Sequence, residues 1–90
     1  MKKTELTVAN KVGLHARPAA LFVKTASQFG SDIKVRNATS GGEFVNAKSI
    51  LKILSLGVSQ NHQIEVTAEG TDEDEAVAAI TELVESNFGE

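Results

Sequence analysis

Ninety residues, 41% apolar and without cysteine, predict one domain over residues 1–90 held by a packed core, with no disulfides or thiolate metal sites. Nine basic and twelve acidic residues leave a net charge of −3, without the basic excess of a nucleic-acid binder. No apolar stretch follows Met1-Lys2-Lys3 as in a signal peptide, and no run approaches the ~20 apolar residues of a bilayer span, so a soluble, cytoplasmic protein is expected.

Thr4-Glu5-Leu6-Thr7-Val8 alternates polar and apolar side chains, the period of a half-buried strand. Asn10 to Leu14 reads as a loop containing Gly13. From Ala16 to about Phe29 the period becomes helical, with Ala19, Phe22, Val23, Ala26 and Phe29 on one face. Pro18 falls in the first turn, where its missing N–H costs nothing, and Gly30 is the expected C-terminal stop. Asp32 to Arg36 alternates again, with Ile33 and Val35 inward. Asn37 to Gly42 is a turn-rich connection, and Glu43 to Ala47 returns as a strand. Ser49 caps a short helix from Ile50 to about Leu56, which Gly57 ends. Asn61 and His62 sit in a polar turn, where His62 is given no role. Gln63 to Ala68 is a fourth strand, with Ile64, Val66 and Ala68 on one face. Thr71 or Asp72 caps the last helix. Glu73, Asp74 and Glu75 fill its first turn, where acid suits the helix dipole. Ala76, Ile80, Leu83, Val84 and Phe88 form its inner stripe. Strand, helix, strand, strand, helix, strand, helix, with strands buried on one side, predicts an α+β fold. Its sheet is antiparallel or mixed, with helices on one face.

The run Gly13-Leu14-His15-Ala16-Arg17-Pro18-Ala19-Ala20 sets a histidine immediately before the first helix and an arginine two residues on. Histidine caps a helix less well than Ser, Thr, Asp or Asn. Arginine in a first turn opposes the dipole. An imidazole there faces free N–H groups and the positive end of the helix, which suits a group that gains negative charge. Arg17 adds a planar, permanently charged donor. The arrangement reads as a holder for a phosphoryl group on His15, with the N–H groups of Ala16 and Arg17 completing a cradle that Pro18 cannot join. From the residues alone, a surface histidine that happens to precede a helix is an equal reading. The short helix is apolar nearly all round. Ile53 and Leu56 suffice for its core side, so Ile50, Leu51 and Leu54 are expected to be partly exposed, a pattern that often marks a partner surface. Lys24, Lys48 and Lys52 give it a basic rim that speeds encounter with acidic partners. Two distant histidines without cysteine predict no metal site, and the acidic run Asp72 to Glu75 lacks calcium-loop spacing. No nucleotide loop or hydrolase signature is present.

Two motifs carry a family resemblance: Gly13-Leu14-His15-Ala16-Arg17-Pro18-Ala19, and Asn46-Ala47-Lys48-Ser49-Ile50-Leu51 with Leu56-Gly57. From about Glu5 to Val84 the chain resembles the HPr family, histidine-containing phosphocarriers of the sugar phosphotransferase system. The resemblance implies an open-faced β-sandwich, a four-stranded antiparallel sheet covered on one face by three helices (βαββαβα). It implies that a phosphoryl group from phosphoenolpyruvate arrives through Enzyme I, rests on Nδ1 of His15 beside Arg17 and the Ala16 N–H, and passes to sugar-specific IIA proteins or domains. Lys24, Lys48, Ile50, Leu51, Lys52 and Leu54 are the expected docking residues for these partners. Ser49 falls on the serine that an ATP-dependent kinase modifies in many Gram-positive relatives, which adds HPr kinase/phosphorylase and a transcriptional regulator as implied partners. Such a carrier is a co-substrate with no enzymatic turnover, needs no cofactor, and is expected to be a monomer. The connection from Asn37 to Gly42 is longer than the common family pattern and is expected to lie away from His15. Three alternatives stay open: a nitrogen-branch carrier served by a different Enzyme I, a regulatory interaction module acting through phospho-Ser49, and a small structural interaction domain with no phosphorylation.

Overall fold

Alternating and helical periods become seven elements in the computed structural model, which describes residues 1–89. In chain order they are β1 (Lys2–Thr7), α1 (Ala16–Ala26), β2 (Asp32–Asn37), β3 (Val45–Asn46), α2 (Ile50–Ser55), β4 (Gln63–Glu69) and α3 (Glu73–Glu85). The sheet order is β1-β4-β2-β3, and every neighbouring pair is antiparallel. The last strand to appear therefore lies in the middle, with Val66 opposite Thr4 on one side and Val35 on the other. The inner face of the sheet (Leu6, Ile33, Val35, Ile64, Val66, Ala68) is buried against Phe22, Ile53, Ile80 and their neighbours on the helices.

The outer face of the sheet is polar. Glu65 lies at its centre, only 8% exposed, because Lys3 and Arg36 lie over it. Lys3 Nζ is 2.8 Å from one carboxylate oxygen, and Arg36 Nε donates to the other at 2.7 Å. These two bonds, Lys3 first and then Arg36, hold the Glu65 carboxyl below its usual range. Arg36 also stacks 5.7 Å from the centroid of the Phe44 ring.

Four expectations are corrected by the local geometry. Helix α1 stops at Ala26, three residues short of Phe29. Gln28 N–H donates to Thr25 and Phe29 N–H to Ala26, tight i→i+3 turns that keep Phe29 on the apolar side after the helix has ended. Gly30 is accordingly no C-terminal stop; its N–H is taken by Asp72. The returning strand shrinks from Glu43–Ala47 to Val45–Asn46, since the chain already turns towards α2 after Asn46, whose carbonyl accepts the Ser49 N–H at 3.2 Å. Asp72 occupies the N-cap position of α3, but its side chain makes no capping bond. Its carboxylate instead accepts from the N–H groups of Gly30 and Ser31 at 2.9 and 3.0 Å and from the Ser31 hydroxyl. Glu73, the first residue of α3, reaches back to accept the Gly70 N–H at 3.1 Å.

Candidate functional site

The loop between β1 and α1 is seated by glycine. Gly13 has φ +61, and a Cβ there would lie 2.2 Å from the Val58 carbonyl oxygen and 2.8 Å from Ser59 Cα. The close approach lets Leu14 N–H donate to that same carbonyl at 3.0 Å, while the Leu14 side chain is buried. His15 follows in extended conformation as the N-cap of α1. Its carbonyl accepts the Ala19 N–H at 2.8 Å, and its side chain makes no capping bond. The backbone is thus fixed on both sides of the residue while the ring stays exposed.

His15 opens onto a recess of about 300 Å³ lined by Leu14, His15, Ala16, Leu54, Gly57, Val58 and Ser59. Ala16 and Arg17 are the first two residues of α1, so their N–H groups have no acceptor within the helix, and no other acceptor is found among the described residues. Arg17 is exposed, lies outside the lining of the recess, and has no ion pair among the described residues. Pro18 and Ala19 are buried and anchor the start of the helix. Uncommitted donors and a free guanidinium beside an exposed imidazole form a surface that can take an anion.

Helix α2 borders the same recess through Leu54. Ser49 is its N-cap, with Oγ accepting the Lys52 N–H at 3.4 Å. Ile53 is wholly buried, whereas Ile50, Leu51 and Leu54 are 39%, 76% and 41% exposed. Leu54 therefore joins the apolar patch to the His15 recess. Lys24 and Lys52 are exposed. Lys48 is different: its ammonium donates to the Phe29 carbonyl at 2.7 Å, which ties it to the end of α1.

None of residues 38–42 lines the recess. The strand end that precedes them does connect to it. Asn37 Nδ2 donates to the Leu56 carbonyl at 3.2 Å and approaches His62 Nδ1 at 3.3 Å, and the Ser59 N–H donates to the same His62 nitrogen at 3.1 Å. Sequence reading finds no partners for His62, because they come from a different strand and from across a turn. Among the described residues no group of three or more His, Asp or Glu side chains could hold a metal. No helix there is long and apolar enough to cross a membrane.

The family model described as "PTS HPr component phosphorylation site" matches residues 2–86. The Vibrio cholerae multiphosphoryl transfer protein is 45% identical over 83 residues, covering 92% of this chain and 21% of that protein. The chain thus spans about a fifth of the length of the multiphosphoryl transfer proteins of that kind. The phosphocarrier protein HPr of Mycoplasma pneumoniae is 42% identical over 87 residues, 97% of each chain. Among solved structures, an HPr from Thermoanaerobacter tengcongensis superposes with a TM-score of 0.94 at 54% identity, covering 100% of this chain and 98% of that one. An HPr from Bacillus anthracis gives 0.84 at 42% identity, covering 92% and 95%. The matched stretch contains both the Gly13–Ala19 and the Asn46–Leu51 segments.

Proposed function

This chain belongs to the HPr family of phosphocarriers of the phosphotransferase system, and on that premise we propose that His15 carries the phosphoryl group between phospho-Enzyme I and sugar-specific IIA proteins or domains. The observation that supports this most is the exposed His15 ring at the start of α1, beside two N–H groups without acceptors. In the transfer, the Nδ1 lone pair of the neutral imidazole attacks phosphorus, and the bond to the donor breaks with its electron pair staying on the donor. The N–H groups of Ala16 and Arg17 and the Arg17 guanidinium stabilise charge on the transferring oxygens. Onward transfer reverses the roles, with the His15 imidazole as leaving group. The protein is a stoichiometric carrier in the cytoplasm, with no cofactor of its own.

Ile50, Leu51 and Leu54 form the apolar centre of the docking face, and Lys24 and Lys52 steer acidic partners towards it. Lys48 adds charge to the same rim although its nitrogen is engaged with Phe29. A monomer presents this one face to donor and acceptor in turn. Phosphorylation of Ser49 by a dedicated kinase would add about two negative charges at the edge of the patch and repel an acidic partner.

Intact-mass analysis after incubation with Enzyme I, Mg²⁺ and phosphoenolpyruvate tests the assignment. One acid-labile phosphate on wild type and none on His15→Ala is the expected result. Labelling of His15→Ala would refute it, and labelling by a nitrogen-branch Enzyme I alone would move the protein to that branch.

A further inference from the structure

We propose that His62 is a positioning residue for phosphoryl acceptance: its Nδ1 holds the 57–59 segment on which the His15 loop is seated, and releases it when the ring takes a proton. The inference rests on the carrier reading of His15. Two N–H donors converge on one ring nitrogen, Ser59 N–H at 3.1 Å and Asn37 Nδ2 at 3.3 Å. The Asn37 amide has a fixed orientation, since its Oδ1 accepts the Ser40 N–H at 3.1 Å and its Nδ2 reaches the Leu56 carbonyl. Nδ1 is therefore the acceptor, and the ring is neutral with its proton on Nε2. The main chain of His62 is equally fixed: its carbonyl accepts the Val8 N–H at 2.9 Å and its N–H donates to Ser59 at 3.1 Å.

What His62 holds is one wall of the recess. Gly57, Val58 and Ser59 line it with His15. The Val58 carbonyl is the acceptor for Leu14, and Gly13 lies directly on the Val58–Ser59 backbone. A proton on Nδ1 would point an N–H at two other N–H groups, so both lose their acceptor and the wall loses its tether. The groups bonded to His62, namely Asn37 from β2, Ser59 after α2 and Val8 after β1, are all uncharged. The charged residues of the surrounding elements, Lys11, Arg36, Lys52 and Glu65, make no hydrogen bond to the ring. His15 is the other imidazole of this end and lines the same recess as the 57–59 segment.

Two variants of the full chain separate His62 from His15. His62→Gln offers an acceptor oxygen that does not titrate; His62→Ala offers none. Rates of phosphoryl transfer from phospho-Enzyme I are measured from pH 5 to 8, together with the Ser59 amide resonance and the imidazole ¹⁵N shifts. At pH 8, His62→Ala is expected to be slower than wild type by about fivefold, the scale of one lost hydrogen bond. His62→Gln should match wild type at pH 8 and exceed it at pH 5. In wild type the Ser59 amide should shift as the His62 ring titrates. Three superimposed pH profiles, or a neutral His62 with its proton on Nδ1, overturn the inference while wild type still takes phosphate. A wild type that takes no phosphate removes the carrier reading itself.

Discussion

Replacing Gly13 with alanine tests whether the seat of the His15 loop is set by contact as well as by backbone conformation. At φ +61 an L-residue costs about 1 kcal/mol. The added methyl would sit 2.2 Å from the Val58 carbonyl oxygen, with Ser59 Cα at 2.8 Å. Backbone atoms cannot swing aside as a side chain does. Relieving the overlap moves the Gly13–Leu14 loop off the 58–59 segment, which adds overpacking strain of about 2 kcal/mol. The move also breaks the Leu14–Val58 hydrogen bond, worth about 1 kcal/mol. The expected loss is about 4 kcal/mol, which for a domain this size lowers the melting temperature by more than about 15 °C. Gly57 is the internal control: its φ is +64 but an added Cβ meets nothing within 4 Å, so Gly57→Ala should cost only about 1 kcal/mol. With no Trp or Tyr in the chain, urea and thermal unfolding are best followed by far-UV circular dichroism. Equal losses in the two variants would refute the contact argument and leave backbone strain as the whole cost.

Ile53→Ala, in the buried side of α2, should cost about 2–5 kcal/mol in urea unfolding. Leu51→Ala, on the exposed side of the same helix, should change stability by less than about 0.5 kcal/mol yet raise the KM of Enzyme I for the carrier; an unchanged KM would remove Leu51 from the docking face. Ser49→Asp keeps a good N-cap and should leave stability nearly unchanged. It should slow transfer from Enzyme I by about tenfold through added charge, and equal rates would argue against docking at this edge. The Asp72 carboxyl is held below its ordinary value of 3.8, first by the Ser31 hydroxyl and then by the Gly30 N–H. A lowered folded-state pKa means stabilisation that is complete above that ordinary value and is lost as pH falls through the lower one. Asp72→Asn should therefore flatten the fall in urea midpoint below roughly pH 4. Glu65, lowered by Lys3 and Arg36, should preserve part of that fall, and an unaltered slope would dissociate Asp72 from acid unfolding.

Much of the fold was legible because its signals are local. Period-two runs gave three of the four strands, and the apolar stripe Ala19, Phe22, Ala26 gave α1. The two motifs gave the family and the antiparallel open-faced arrangement that the strands alone left undecided. The end of α1 was misplaced because a tight turn keeps Phe29 on the helical stripe after the helix has stopped. Asp72 looked like a cap, and its actual partners Gly30 and Ser31 lie some forty positions earlier, beyond any local pattern. The site divides in the same way. His15, Arg17, Ser49 and the exposed half of α2 announce themselves by residue type at a helix start or on a helix face. The bonds of His62 do not, since a histidine in a polar turn gives no local sign that Asn37 and Ser59 will meet on its Nδ1.

The sheet order has a consequence for the sequence of folding events. β4 separates β1 from β2, so Lys2 finds Ala68 and Leu6 finds Ile64 only after most of the chain has been gathered in. Pairings this distant in sequence raise the contact order of the fold, which slows folding as a whole. The wall at Val58–Ser59 lies just ahead of β4, and the loop that bears His15 comes straight after β1. Docking of β1 onto β4 therefore completes the sheet and brings the His15 loop against the Val58–Ser59 backbone in one event. The same contacts complete the sheet and seat the His15 loop, so competence to take up phosphate and completion of folding should appear with the same time constant.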